Sequence, residues 1–192
     1  IEKDPTFIPK KSWSFWEKKE SYWNDFIIKS WDKILFKSQN VSIERNLTNM
    51  NYKMIKSESF YNNIYDKVKR QPNIKIKKGV VENIQEHNDF VLVQTNNETF
   101  KASKVLNSIP DDFYKTNLKF PVLLQHFVGW TIKTNMPVFD ESKATLMDFS
   151  IDQKNETRFF YVLPTSKNEA LVEFTLFSKE LITNSEYEIE IK

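Results

Sequence analysis

The spacing of hydrophobic residues near the start of the chain fits two kinds of structure. Apolar residues recur at roughly helical intervals at Tyr22, Trp23, Phe26, Ile27, Trp31, Ile34 and Leu35. An amphipathic helix has this spacing, but the run LFKSQNVSI (35–43) also fits strands. The pattern leaves helix and strand open for this region.

A helix is predicted next, beginning at Ser57 and ending near Arg70. Serine is a favourable residue at a helix start, and Pro72 cannot continue a helix. Between these ends, apolar residues recur every four positions at Phe60, Ile64 and Val68.

From residue 73 the period changes to two, which is typical of strands. The runs IKIKKGVVENI, FVLVQT and TFKASKVLNSI are separated by polar turns and predict a β-meander at about 73–108. A short last strand would end at Ile109, before Pro110. A helix followed by a meander and a short strand indicates the later half of a nucleotide-binding α/β domain.

Four further strand-like runs, at 123–133, 145–149, 158–163 and 170–177, predict an antiparallel sheet. We therefore predict an α/β (α+β) chain with two partial domains, at 1–110 and 111–192. No apolar run reaches the roughly 18 residues of a membrane-spanning helix. The chain begins at Ile1 on what looks like a strand end, so we expect it to be a piece of a longer protein.

Composition excludes several kinds of site. Only Gly79 and Gly129 are glycines, so the chain lacks the three closely spaced glycines of a dinucleotide fingerprint, and a P-loop is excluded as well. The 28 basic and 26 acidic residues leave a net charge of +2, which does not favour nucleic acid. No cysteine is present, and His87 and His126 have no metal-ligand spacing, so no metal site is predicted.

One acidic residue, Glu173, lies in the apolar run ALVEF (170–174), shortly after an aromatic strand. Burial of a carboxyl group raises its pKa and can keep it protonated near neutral pH. Composition alone favours an ordinary ion pair with a lysine at a strand edge.

The segments QHFVGW, FD followed by ATLMDF, RFFYVLP and ALVEFT occur here in an order that resembles the flavin-dependent lycopene cyclases, in their bacterial lycopene β-cyclase branch. SWSFWE, YKMIKSESFY and KVLNSIP extend the similarity over almost the whole chain. The resemblance implies a truncated FAD-binding Rossmann-like domain of the glutathione-reductase and monooxygenase type, followed by a substrate domain. It also implies reduced FAD, with NAD(P)H as a candidate reductant.

The implied reaction is acid-initiated cyclisation of linear carotenoid end groups, from lycopene to γ- and β-carotene, without net redox change. The enzyme would be an isomerase of the intramolecular lyase type, and Glu173 would be its proton donor. Plant members have a second acid where this chain has Phe174. Asp148 is the alternative second acid, and would either hydrogen-bond Glu173, orient the flavin, or be satisfied by backbone amides.

Aromatic side chains attract carbocations without trapping them. The candidates to line a substrate tunnel are Trp130, Phe149, Phe160 and Tyr161, each of which could equally be an ordinary core residue. His126 would satisfy a backbone contact or face the flavin or substrate. For the cofactor, the family pattern assigns the ribose-binding acid to Glu2, with Asp4 as the second choice, and Asn107 and Ser108 lie where a nucleotide would bind.

A carotenoid substrate implies peripheral contact with a membrane, at the inner face of the cytoplasmic membrane. The run KKSWSFWEKKESYW (10–23) mixes lysine with tryptophan, as interfacial segments do, although Trp13 and Trp16 could instead pack in the core. Two alternatives remain: a flavin-dependent monooxygenase or isoprenoid reductase of the same fold, and a catalytically inactive lipid-binding fragment.

Overall fold

The computed structural model describes residues 1–20, 22–110 and 119–192. Within these ranges the helices are α1 (Ser57–Lys69) and α2 (Asn184–Ile191), and a short 3-10 turn covers Asn24–Phe26. The strands are β1 (Ser12–Glu17), β2 (Ile27–Trp31), β3 (Lys33–Lys37), β4 (Ser42–Asn46), β5 (Asn51–Lys56), β6 (Val81–Glu86), β7 (Val91–Thr95), β8 (Thr99–Ala102), β9 (Leu124–Lys133), β10 (Ala144–Asp148), β11 (Thr157–Ser166) and β12 (Glu169–Ser178). Neither α1 nor α2 is long and apolar enough to cross a bilayer.

Contacts divide the chain into two compact units. Unit 1 consists of Ile1–Lys11 and Lys56–Phe113, and unit 2 of Ser12–Ile55 and Tyr114–Lys192. The division differs from the single boundary predicted at residue 110, because residues 12–55 belong to unit 2. Strand pairing is the reason: β3 lies in the same sheet as β10.

Unit 1 contains α1 and the antiparallel sheet β6-β7-β8. The predicted helix and meander are therefore confirmed. Ser57 does not cap α1, since its hydroxyl instead bonds the backbone of Pro9 and Lys11. The predicted strand ending at Ile109 is wrong, because residues 103–110 pair with no strand in the described part of the chain and Leu106 is fully exposed.

Unit 2 contains a six-stranded sheet in the order β4-β3-β10-β11-β12-β9 and a three-stranded sheet in the order β1-β5-β2. The four strands predicted after residue 110 are all found, as β9 to β12. Their neighbouring pairs are antiparallel, as expected. The complete sheet is mixed, however, because β3 pairs with β10 in parallel.

Residues 22–46 do not form the helix that their spacing suggested, and strands β2, β3 and β4 lie there instead. The helical spacing has a local cause. Trp31 ends β2 and Ile34 lies in β3, so a bend at Asp32 brings two strand residues into one core at an interval of three.

The two faces of β12 contact different apolar clusters because successive side chains of a strand point to opposite faces. One face contributes to a cluster of Trp31, Ile34, Met54, Ala144, Leu146 and Leu163, with Tyr52, Tyr161 and Leu171 at its edge. The other face contributes Phe174 and Leu176, which pack with Ile191 of α2.

A buried lysine joins β5 to the segment after β1. Lys53 is 2% exposed, and its ammonium group donates to the carbonyl oxygens of Lys18 (2.7 Å) and Lys19 (3.1 Å) and to Asn24 Oδ1 (3.2 Å). Glu17 Oε2 lies 3.3 Å from the same nitrogen. This network fixes the three-stranded sheet, which forms one side of the site described below.

We expect Lys53→Met to lower the free energy of unfolding by about 1–3 kcal/mol, because the substitution leaves buried acceptors without a donor. Lys56→Met, at the exposed end of the same strand, should change it by less than about 0.5 kcal/mol. Urea unfolding measures both values. Equal stability of the two variants would contradict a structural role for Lys53.

Candidate functional site

Glu173 occupies the middle of β12 in unit 2, between two long neighbouring strands. In the strand register it lies opposite Tyr161 on β11 and opposite Gly129 on β9. Its side chain extends over Gly129, where no side chain is present. Glu173 therefore projects from the interior of the sheet and not from its edge.

A cavity of about 260 Å³ adjoins this residue within unit 2. Its wall combines the face of β9, β11 and β12 that carries Glu173 with residues of the three-stranded sheet. The lining residues are Ser12, Trp13, Ser14, Tyr52, Gln125, Phe127, Tyr161, Leu163, Leu171, Glu173 and Thr175. Among the described residues of this lining, Glu173 is the one with a carboxyl group.

The Glu173 carboxyl group is partly buried and has no hydrogen bond or ion pair with any residue that the structure describes. Loss of hydration disfavours the charged form, so burial raises the pKa of Glu173 above its ordinary value. The ion pair with a lysine that composition favoured is not found within the described ranges. The geometry instead favours a carboxyl group that can hold a proton.

Two phenols border the same cavity. Burial, followed by the charge of Glu173, raises the pKa of Tyr161. Burial is also the main cause that raises the pKa of Tyr52 to about 12, with further contributions from Tyr161 and Glu173 that outweigh its hydrogen bond with Ser14. Both phenols therefore remain neutral and can donate hydrogen bonds.

Sequence reasoning did not select Tyr52, Ser14 or Gly129 as site residues. Tyr52 lies more than 100 positions before Glu173 and reaches the cavity only because the two sheets of unit 2 pack together. Tyr52 lies in the segment YKMIKSESFY, which resembles the family but has no feature that marks Tyr52 as a site residue.

Asp148 is not brought to this cavity. Its Oδ1 accepts hydrogen bonds from the amide (2.9 Å) and the hydroxyl of Ser150, and Lys37 Nζ lies 3.5 Å from its Oδ2. Burial alone would raise the pKa of Asp148, but these partners outweigh it and the pKa lies below its ordinary value. Of the roles considered for Asp148, satisfaction by local donors agrees with this geometry.

The strand register places the aromatic residues considered for the substrate tunnel on different faces of the sheet. Tyr161 lines the cavity. Trp130 and Phe160 lie on the opposite face of the sheet, in the cluster around Phe174, and the ring of Phe149 packs 5.3 Å from that of Phe159. The alternation of strand side chains separates Phe160 from its neighbour Tyr161.

His126 is also turned away from the cavity. Its Nδ1 bonds the hydroxyl of Tyr187 on α2, and its Nε2 lies 2.7 Å from Ser178 Oγ. The contact with Tyr187 joins α2 to the sheet, whereas the contact with Ser178 joins β9 to β12. Both contacts involve side chains and not the backbone contact considered for this residue.

The residues considered for a flavin lie in unit 1. Glu2 is exposed, and its backbone pairs with Lys77 and Gly79. Asn107 and Ser108 line a cavity of about 500 Å³ with Lys75, Lys77, Lys101 and Lys104. Lysines suit phosphate groups, but Asn107 Oδ1 already accepts from the Ile109 amide (2.9 Å) and no glycine-rich loop is present. These residues do not build a flavin site by themselves.

Within the described ranges, no three histidine, cysteine or acidic side chains come together as metal ligands do.

Several solved structures of longer proteins have a similar fold. The chain matches 2,6-dihydroxypyridine-3-hydroxylase from Arthrobacter nicotinovorans (10% identity, TM-score 0.51, covering 95% of this chain and 50% of that one). It matches a geranylgeranyl bacteriochlorophyll reductase-like protein from Thermoplasma acidophilum (12%, TM-score 0.57, 92% and 49%). It also matches halogenase PltM in complex with phloroglucinol and FAD (11%, TM-score 0.53, 86% and 38%).

These likenesses confirm the predicted α/β fold, and the chain spans half or less of each matched structure. No curated protein matches the sequence at a significant level. The family described as lycopene cyclase protein matches residues 1–192. The chain therefore belongs to the lycopene cyclase family.

Proposed function

We propose that the protein containing this chain is a lycopene β-cyclase, which closes the linear end groups of lycopene to give γ- and β-carotene without net redox change. The observation that carries the proposal is the partly buried carboxyl group of Glu173, which has no hydrogen bond or ion pair with a described residue and borders a cavity with aromatic walls. An alkene is a very weak base. Its protonation requires a carboxylic acid that is kept protonated and away from water.

In the first step, the Glu173 O–H bond breaks and its proton forms a C–H bond at the terminal double bond of the substrate. A neighbouring double bond attacks the resulting cation, and a ring C–C bond forms. The ring then loses a proton and gains a double bond. Because no other described residue of the cavity lining has a carboxyl group, we propose that the Glu173 carboxylate takes up this proton and the acid is regenerated.

The two phenols have a protective role in this proposal. A phenolate would capture a carbocation, whereas a neutral phenol offers its π face. The raised pKa values of Tyr52 and Tyr161 support the neutral form of both phenols near neutral pH. The cavity, at about 260 Å³, is smaller than the pockets of about 300–1,000 Å³ that enclose whole ligands. It suits one end of a long hydrocarbon.

We further propose that the protein uses reduced FAD, with NAD(P)H as its reductant. Support comes from the family match and from the FAD in the halogenase structure. Glu2, Asn107 and Ser108 are the candidate contacts for this cofactor. The loop that binds its phosphate groups must be formed by other residues. The mechanism above requires no hydride transfer to the carotenoid, so NAD(P)H should not be consumed in proportion to product.

We expect Glu173→Gln to reduce β-ring formation by about 10²–10⁴-fold in a lycopene-producing host expressing the full-length protein, since it removes the proton donor with little change in volume. Glu169→Gln, on the same strand and face, is the matched control and should remain active. The activity of the unmodified protein should fall as the pH rises through the raised pKa of Glu173, because the protonated form is lost. Normal β-carotene formation by Glu173→Gln would reject the assignment.

An acid introduced at position 174, where plant members of the family have one, should not increase cyclase activity. Phe174 is fully buried on the opposite face, in the apolar cluster with Trp130 and Phe160. We expect Phe174→Asp to lower the free energy of unfolding by at least about 3 kcal/mol without raising activity. Phe120→Asp, at a residue that is 64% exposed, is the control for stability. A stable and more active Phe174→Asp protein would contradict the proposed arrangement.

Contact with the cytoplasmic face of the cytoplasmic membrane is proposed through the segment that contains β1. Trp16 is 43% exposed and packs on Tyr52 with ring centroids 4.9 Å apart, while Trp13 lines the cavity. Lysines flank this strand on both sides. An exposed tryptophan with flanking lysines suits an anionic lipid surface, and here it lies beside the proposed substrate cavity.

We expect Trp16→Ser to decrease the fraction of protein that floats with anionic liposomes, because it removes the exposed indole. Met136→Ser removes an apolar side chain that is 71% exposed in the loop after β9, and it should leave flotation unchanged. Equal flotation of Trp16→Ser and Met136→Ser would contradict the proposed contact.

A further inference from the structure

We infer that Gly129 is a positioning residue for the proposed reaction: the missing side chain on β9 gives the Glu173 carboxyl group its place over the sheet. The activity test of this inference rests on the proposed function. Its structural basis is the packing between two neighbouring strands.

The register restricts where the Glu173 side chain can lie. On one side it faces Tyr161 of β11, whose large ring occupies the face of the sheet. On the other side it faces Gly129 of β9, where the face is bare backbone. The open position is therefore over β9.

Distances show how closely this space is filled. A Cβ atom added to Gly129 would lie 3.0 Å from Glu173 Cγ, 3.2 Å from its Oε1 and 3.5 Å from its Cδ. Carbon atoms in favourable contact lie about 3.5–4.0 Å apart. A single methyl group at position 129 would thus displace the Glu173 side chain, which has rotatable bonds and can move.

Backbone conformation does not explain the glycine. Gly129 lies inside β9, and neither of the chain's two glycines has a positive φ angle. Glycine in a strand interior weakens the strand and often marks a close approach by another group. Here the approaching group is the side chain of Glu173.

The chain supplies a matched control. At Gly79, an added Cβ would lie 3.5 Å from Ile1 Cγ2 and 3.6 Å from Thr95 Cβ, which are ordinary contacts. Gly79→Ala and Gly129→Ala are the same chemical change in the same protein. They differ in whether the new methyl group meets Glu173.

In the full-length enzyme, we expect Gly129→Ala to lower kcat by roughly 10–100-fold, as misplacement of a catalytic group by about 1 Å does. KM should change little, and the alkaline limb of the pH–kcat profile should move to lower pH as the carboxyl group gains water. Gly79→Ala should keep the kcat and the pH limb of the unmodified enzyme. Both variants should retain its unfolding midpoint.

A second measurement keeps the test decisive. The infrared carbonyl band of the protonated Glu173 carboxyl group should disappear at lower pH in Gly129→Ala than in Gly79→Ala or the unmodified protein, because the displaced carboxyl group gains water. An unchanged kcat and pH limb in Gly129→Ala, a loss that is only in its unfolding midpoint, or an infrared band that titrates as in the unmodified protein would each overturn the inference. Full activity of Glu173→Gln would instead overturn the proposed function, whatever Gly129→Ala does.

Discussion

The register of β12 against its neighbours is the constraint on which the site depends. It sets Glu173 between Tyr161 and Gly129 on one face and Phe174 between Phe160 and Val128 on the other. A slip of one residue would exchange the two faces and bury the carboxyl group in the apolar cluster below α2. The apolar residues on both faces oppose such a slip, so the same contacts that stabilise the sheet also position the acid.

The second sheet of unit 2 completes the environment of that acid. Tyr52, on β5, helps to remove water from the carboxyl group, and Lys53, the next residue, holds the strand in place from its other face. Because desolvation is the cause of the raised pKa of Glu173, the proposed chemistry depends on residues distant in sequence. Both sheets of unit 2 therefore contribute to the desolvation of the Glu173 carboxyl group in the cavity between them.

Much of the fold could be predicted from periodicity, which is a local property. The helix at residues 57–69, the meander and the strands β9 to β12 follow directly from it. The strands at residues 27–46 were obscured because a bend at Asp32 imitates helical spacing. Tyr52 and Gly129 could not be selected, since their roles arise from pairing between distant strands. The alternation that placed Tyr161 in the cavity also placed Trp130 and Phe160 outside it, which a list of aromatic residues cannot show.

The central claim is that Glu173 is a neutral carboxylic acid when the enzyme works. Infrared difference spectroscopy across a pH titration tests this directly, using the carbonyl band of a protonated carboxyl group that is absent from Glu173→Gln. Because burial raises the pKa of Glu173, this band should persist above the ordinary pKa of glutamate and disappear only at higher pH. A band that is lost at the ordinary pKa, or one that remains in Glu173→Gln, would contradict it.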